Sequence, residues 1–184
     1  RLGITVSRLQ TSESGRSAAQ KSAEKLVLSA DCGGTTTRLM LYRVAPDAAV
    51  LPKQRAPGTL LREEKYPNIL FKSLKEIIEV FLSQDSGIRD PQPTVAVLAL
   101  AGIVLNNQCR FTNLDWVVDG NELQRDLNIG KVELINDFVA QGYGMLTLGD
   151  DEVTRLNDAT PHRGAPMACI GAGTGFGPCF LGPA

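Results

Sequence analysis

An α/β domain built on a mixed sheet is the fold class this sequence predicts, on three observations. The apolar run Leu26–Ala30 and the run Arg38–Val44 flank a turn so short that the two strands must run antiparallel. Beyond them, short apolar runs alternate with stretches whose apolar residues recur at helical spacing, the order expected of a sheet covered by helices. Two glycine-rich turns, Asp31–Thr36 and Gly171–Gly177, each follow a strand-like run.

Each element follows in order. Residues 1–25 are rich in Ser, Arg, Lys, Gln and Ala, with Glu13 and Glu24 their only acids. They read as a disordered leader, or as the remnant of an Arg/Ser-rich organelle transit peptide. Leu26–Ala30 and Arg38–Val44 are the first two strands. Residues 45–66, with Pro46, Pro52, Pro57 and Gly58, read as loops with at most a short third strand. Pro67 and Asn68 then lead into a helix to about Ser83, with Ile69, Leu70, Leu74, Ile77, Ile78 and Phe81 on one face. Thr94–Leu100 is apolar on both faces, as a central strand is. Asp119 with Glu122 forms a capping-box-like start for a helix to about Leu127. Lys131–Ile135 is a strand and Asp137–Leu148 a helix, weakened by Gly142 and Gly144 at about 1 kcal/mol each. Residues 149–166 read as a connector, and Met167–Ile170 opens a new strand. The expected organisation is a leader (1–25), a small α/β lobe (26–148), then a connector and the first strands of a second α/β lobe (149–184). The chain begins at Arg1 rather than Met and stops at Ala184, just after a strand-like run, so a fragment is expected.

Composition narrows the chemistry. A net charge of −1 offers nothing global to attract nucleic acid or an acidic membrane, so neither partner is expected. Cys32, Cys109, Cys169 and Cys179 form no C-x-x-C pair and read as free thiols, and the lone His162 has no paired ligand for zinc.

The candidate site residues lie in and between the glycine turns. In Asp31-Cys32-Gly33-Gly34-Thr35 the glycines bring backbone N–H groups close to a phosphate, Thr35 adds a hydroxyl, and Asp31 can hold Mg²⁺ through water. The bland alternative is a plain hairpin turn. Gly171, Gly173, Thr174 and Gly175 offer a second set of unhindered N–H groups, or else a glycine linker. This segment is not a dinucleotide fingerprint, because Phe176 stands where the third glycine would fall, and no Walker lysine is present. Asp137, at a strand-to-helix junction, suits a base that takes a proton from the group receiving a phosphoryl; the alternative is a helix cap. Asn136 could orient that group. In Phe111–Trp116, Thr112 and Asn113 are candidate sugar contacts, the alternative being loop capping, with Trp116 expected in the core. Together these residues point to phosphoryl transfer.

Those residues, in this order, resemble the bacterial-type glucokinases of the sugar kinase, actin and heat-shock chaperone ATPase superfamily. The carriers are Ala30–Thr35 with Arg38, Thr112-Asn113-Leu114-x-Trp116, Leu134–Phe138 and Gly171–Gly177. The resemblance implies a ribonuclease-H-like lobe facing a larger one, and transfer of the γ-phosphoryl of MgATP to the 6-hydroxyl of glucose. It makes Asp137 the general base, Asn136 a sugar ligand, and the two glycine loops the phosphate sites. Free thiols suit a reducing compartment, so a cytoplasmic enzyme is expected (or one of a plastid or other organelle, if the leader is a transit peptide), with a homo-oligomer left open. Gly102-Ile103-Val104 departs from the proline usual in that turn. The family's Glu-Gly-Gly-His segment and adenine pocket fall past Ala184, so this stretch alone is expected to bind glucose poorly. The competing readings are another hexose kinase or a sugar-sensing regulator on the same lobes, and a non-catalytic sugar- or nucleotide-binding protein.

Overall fold

The structure, a computed structural model, describes residues 24–51, 53–84, 92–111, 114–160, 162, 164–172 and 176–182. Its centre is a five-stranded sheet of β1 (Lys25–Cys32), β2 (Thr36–Val44), β3 (Thr59–Pro67), β4 (Val95–Leu100) and β8 (Lys131–Asn136), in the order β3-β2-β1-β4-β8. The first three pair antiparallel, as the short first turn requires, while β1, β4 and β8 run parallel. Alternation along β1 and β2 sends Leu28, Ala30, Cys32, Leu39 and Leu41 into one buried face. Helix α1 (Leu74–Ser83) covers that face with Leu74, Ile77, Ile78 and Phe81, and α2 (Gly120–Asp126) adds Leu123.

Three expectations change. The β3 strand is nine residues long rather than short or absent. Its run Arg62-Glu63-Glu64-Lys65 hid it, because charge suits an edge strand that must not pair with another chain. The helix expected from residue 67 starts only at Leu74, after Ser73 caps it by accepting from Glu76 N–H at 3.2 Å. Asn68–Leu70 is instead a single 3-10 turn, so Ile69 and Leu70 are exposed and do not join the apolar face. The helix after β8, α3 (Asp137–Met145), ends earlier than Leu148.

Residues 102–119 hold a small sheet that the sequence reading lacked: β5 (Gly102–Leu105), β6 (Gln108–Phe111) and β7 (Val117–Asp119). Asn106 and Asn107 form the two-residue turn of the β5–β6 hairpin, with φ of 51° and 59°. The Asn107 side chain then closes the outer edge of β8, donating to Val132 O at 3.0 Å and accepting from Leu134 N–H at 2.8 Å. This docks the small sheet along β8, and Asn136 Nδ2, donating to Gly102 O at 3.0 Å, joins the two at the end of the strand. Asp119 caps α2 as expected, accepting from Asn121 and Glu122 N–H. Trp116 is buried edge-on to Phe111, ring centroids 6.1 Å apart.

The last hairpin pairs β9 (Met167–Ala172) with β10 (Phe176–Leu181). It packs on α3 at Gly142, where a Cβ would sit 2.7 Å from Cys179 Sγ, so this mid-helix glycine allows close approach. Gly144 has nothing within 4 Å, and no packing reason for it is present.

Candidate active site

The parallel strands bring the two main candidate segments to one edge of the sheet. Cys32 on β1 is level with Leu100 on β4, and Leu100 is level with Asn136 on β8. The Gly33–Thr35 turn and Asp137 therefore leave the same C-terminal edge, separated by one strand, or about 10 Å at ordinary strand spacing. Ligands of open α/β sheets bind at this edge.

At the helix start, Asn136 rather than Asp137 is the cap. Its Oδ1 accepts from Phe138 N–H at 3.0 Å and from Val139 N–H at 3.4 Å. Its Nδ2 donates to Gly102 O at 3.0 Å and to Asp137 Oδ1 at 2.8 Å. Asp137 Oδ1 also accepts from Phe138 N–H at 3.0 Å. The carboxylate is thus held through one oxygen, and Oδ2 has no hydrogen-bond partner among the described residues. One fixed oxygen and one open oxygen is the arrangement a positioned proton acceptor needs.

The first glycine turn is pinned from below. Gly33 N–H donates to Thr36 O at 3.0 Å, and Asn68 N–H donates to Thr35 O at 2.9 Å. Gly33 is not required by the fold: its φ is not positive, and an added Cβ would meet only Thr36 O, at an ordinary 3.6 Å. A missing side chain that the fold does not need leaves the outer face clear for a close ligand. Asp31 is exposed on the sheet face opposite Cys32, and Arg38 across from it pairs with Glu63 instead. Its carboxylate has no partner among the described residues. Cys32 lies beneath, buried, with burial pushing its thiol up to about 11. Burial also raises the Cys109 thiol, with the nearby Asp137 charge adding to it.

In the second glycine segment, Gly171 and Gly177 face each other across the hairpin under the Phe138 ring. A Cβ on Gly177 would sit 1.8 Å from Phe138 Cε2, and one on Gly171 would sit 2.6 Å from Cε1. Packing thus accounts for both of these glycines. Gly173, Thr174 and Gly175 lie outside the described residues, as do Thr112 and Asn113. Phe111 N–H donates to Trp116 O at 3.1 Å. Sequence reasoning passed over Asn68, whose burial has no local signal, and over Phe138 as the link between Asp137 and the second glycine segment. Among the described residues no three His, Cys, Asp or Glu side chains gather into a metal cage.

Comparison with known proteins places these features in context. A family model described as Glucokinase matches residues 28–184. A glucokinase of Synechocystis sp. is 38% identical over 158 residues, which is 85% of this chain and 43% of that protein. One from Nostoc punctiforme is 35% identical over 156 residues, 85% of this chain and 42% of the relative. The chain spans less than half the length of these relatives. The crystal structure of a glucokinase from an Antarctic psychrotroph superposes with a TM-score of 0.69 at 27% identity, covering 86% of this chain and 47% of that one. A Balamuthia mandrillaris glucokinase solved in complex with glucose shares the fold, with a TM-score of 0.60 at 24% identity over 90% of this chain and 46% of that one.

Proposed function

Because this chain belongs to the glucokinase family, we propose that it carries the catalytic base and the first phosphate loop of an ATP-dependent glucokinase. The reaction breaks the bond from the γ-phosphorus to the β,γ-bridging oxygen, which leaves on ADP, and makes a bond to O6 of glucose. Asp137 Oδ2 takes the proton from that hydroxyl as its oxygen bonds to phosphorus. Asn136 holds the carboxylate by its other oxygen and, with Thr112 and Asn113, lines the sugar side. The Gly33–Thr35 turn and the Gly173–Gly175 loop present N–H groups to the phosphates. The observation that carries this reading is the register Cys32–Leu100–Asn136, which sets the turn and Asp137 on one edge.

Mg²⁺ is part of the proposal. A single exposed, unpaired carboxylate at Asp31 suits an ion that keeps its waters and rides on substrate phosphates; a cage of protein ligands is not needed. When bound, the ion neutralises charge on the phosphates. We also assign residues 26–148 to a small lobe and the β9–β10 hairpin to the start of a larger one. A cytoplasmic or plastid setting fits the reading, and no helix among the described residues is long and apolar enough to cross a membrane.

The test is a coupled assay of glucose 6-phosphate formation from MgATP and glucose, using the protein at its full natural length. Turnover supports the proposal. Glucose binding without turnover would overturn it in favour of a sensing or binding role.

A further inference from the structure

Among the described residues, the buried polar side chains are Thr37 and Asn68, at 0% and 1% exposure. Buried polar groups cost stability unless they are hydrogen-bonded, so two of them side by side call for a reason. Both lie directly behind the Gly33–Thr35 turn. Thr37 Oγ1 donates to Asn68 Oδ1 at 2.7 Å, and Asn68 Nδ2 donates to Gly33 O at 2.8 Å. Asn68 N–H donates to Thr35 O at 2.9 Å. With the Thr37 proton committed to Asn68, the Cys32 thiol, 3.0 Å from Thr37 Oγ1, is the donor in that contact. One asparagine therefore grips two carbonyls of the turn from inside, and Thr37 and Cys32 fix its amide orientation.

A trans peptide plane converts this grip into an outward direction. The carbonyl of Gly33 and the N–H of Gly34 belong to one planar unit and point opposite ways. Holding the carbonyl inward turns the Gly34 N–H outward, and neither the Gly34 nor the Thr35 N–H has a partner among the described residues. Without Asn68, the Gly33 carbonyl keeps only a long 4.0 Å contact with the Cys32 thiol, and the plane is free to rotate.

We propose that Asn68 is a positioning residue which, through the Gly33 carbonyl, aims the Gly34 N–H of the turn at a nucleotide phosphate. This rests on the kinase reading above. It adds a residue from outside the glycine turn, on the 3-10 turn after β3.

The experiment measures three quantities on the full-length protein: dissociation constants for a magnesium-bound, non-hydrolysable ATP analogue and for glucose, and the melting temperature. The double variant Thr37→Val/Asn68→Leu removes the Thr37–Asn68 pair together, replacing both side chains by apolar groups of similar size, and leaves the Gly33 carbonyl to turn towards solvent, which keeps the cost to stability small. It should weaken the analogue about tenfold, with melting temperature and glucose affinity close to those of the parent. Thr37→Ser keeps the hydroxyl and should bind like the parent. Thr37→Val alone should weaken the analogue about threefold, and it carries the test if the double variant does not fold. Unchanged analogue binding in the double variant and in Thr37→Val overturns the inference. So does a parallel loss of both ligands in step with melting temperature, which is what a merely structural role predicts. Failure of the kinase reading is separable, because it shows as a parent protein that binds the analogue yet makes no glucose 6-phosphate.

Discussion

Gly177→Ala probes the contact that ties the helix bearing Asp137 to the last hairpin. The new Cβ would lie 1.8, 2.1 and 2.2 Å from three ring carbons of Phe138. Carbon atoms settle about 3.5–4.0 Å apart, so the ring must retreat by roughly 1.5 Å. Overpacking on this scale costs about 1–3 kcal/mol. The backbone itself raises no objection, since φ at Gly177 is not positive; elsewhere such a change would stabilise by about 0.4–1 kcal/mol. Gly171→Ala places its Cβ 2.6 Å from the ring, a milder overlap, and should cost less. Urea unfolding of the four proteins of a Gly177→Ala/Phe138→Ala cycle reads the contact directly. Gly177→Ala should destabilise by about 2 kcal/mol with Phe138 present and by under about 0.5 kcal/mol in the Phe138→Ala background. Equal effects in the two backgrounds would refute the packing argument. A gain in stability with Phe138 present would do the same.

Three further outcomes concern the first glycine turn and Cys32, the last residue of β1 before it. Gly33→Ala should leave the unfolding midpoint unchanged or slightly raised while increasing KM for MgATP about tenfold, because the space it fills lies outside the fold; steady-state kinetics with calorimetry check this. The Cys32 thiol, pushed up to about 11 by burial against an ordinary 9.0, should resist iodoacetamide at pH 8 in the native protein. Its folded pKa lies above the unfolded one, so its contribution to stability is complete below pH 9 and is lost as pH rises towards 11. Denaturant midpoints falling over that window should flatten in Cys32→Ala, and an identical slope in the variant would contradict the assignment.

How far the sequence alone could be read depended on whether a signal was local. The strands β1, β2, β4 and β8 are short apolar runs, and the short turn after β1 dictates an antiparallel partner, so the centre of the sheet was readable. Asp119 announced α2 through its capping partner at Glu122, and the Asn136-Asp137 junction marked the key helix start. The β3 strand was obscured because an edge carries charge, and Ile69 and Leu70 mimicked a helical stripe until Ser73 offered a better cap. The Asn106-Asn107 turn was a legible hairpin signal, but the run Thr94–Leu105 disguised it as one strand and a loop. Asn68 had no signal, because its partners Gly33 and Thr37 lie more than thirty residues away. For Phe138, only the structure shows that its ring fills the space left by two glycines.

Asp137→Asn in the full-length protein bears most directly on the proposed site, since it keeps the cap at Asn136 and the shape of the side chain while removing the proton acceptor. The turnover number for glucose should fall by about 10²–10⁴, with the dissociation constant of glucose within about threefold of the parent. Turnover near the parent value would contradict the assignment of Asp137 as the base.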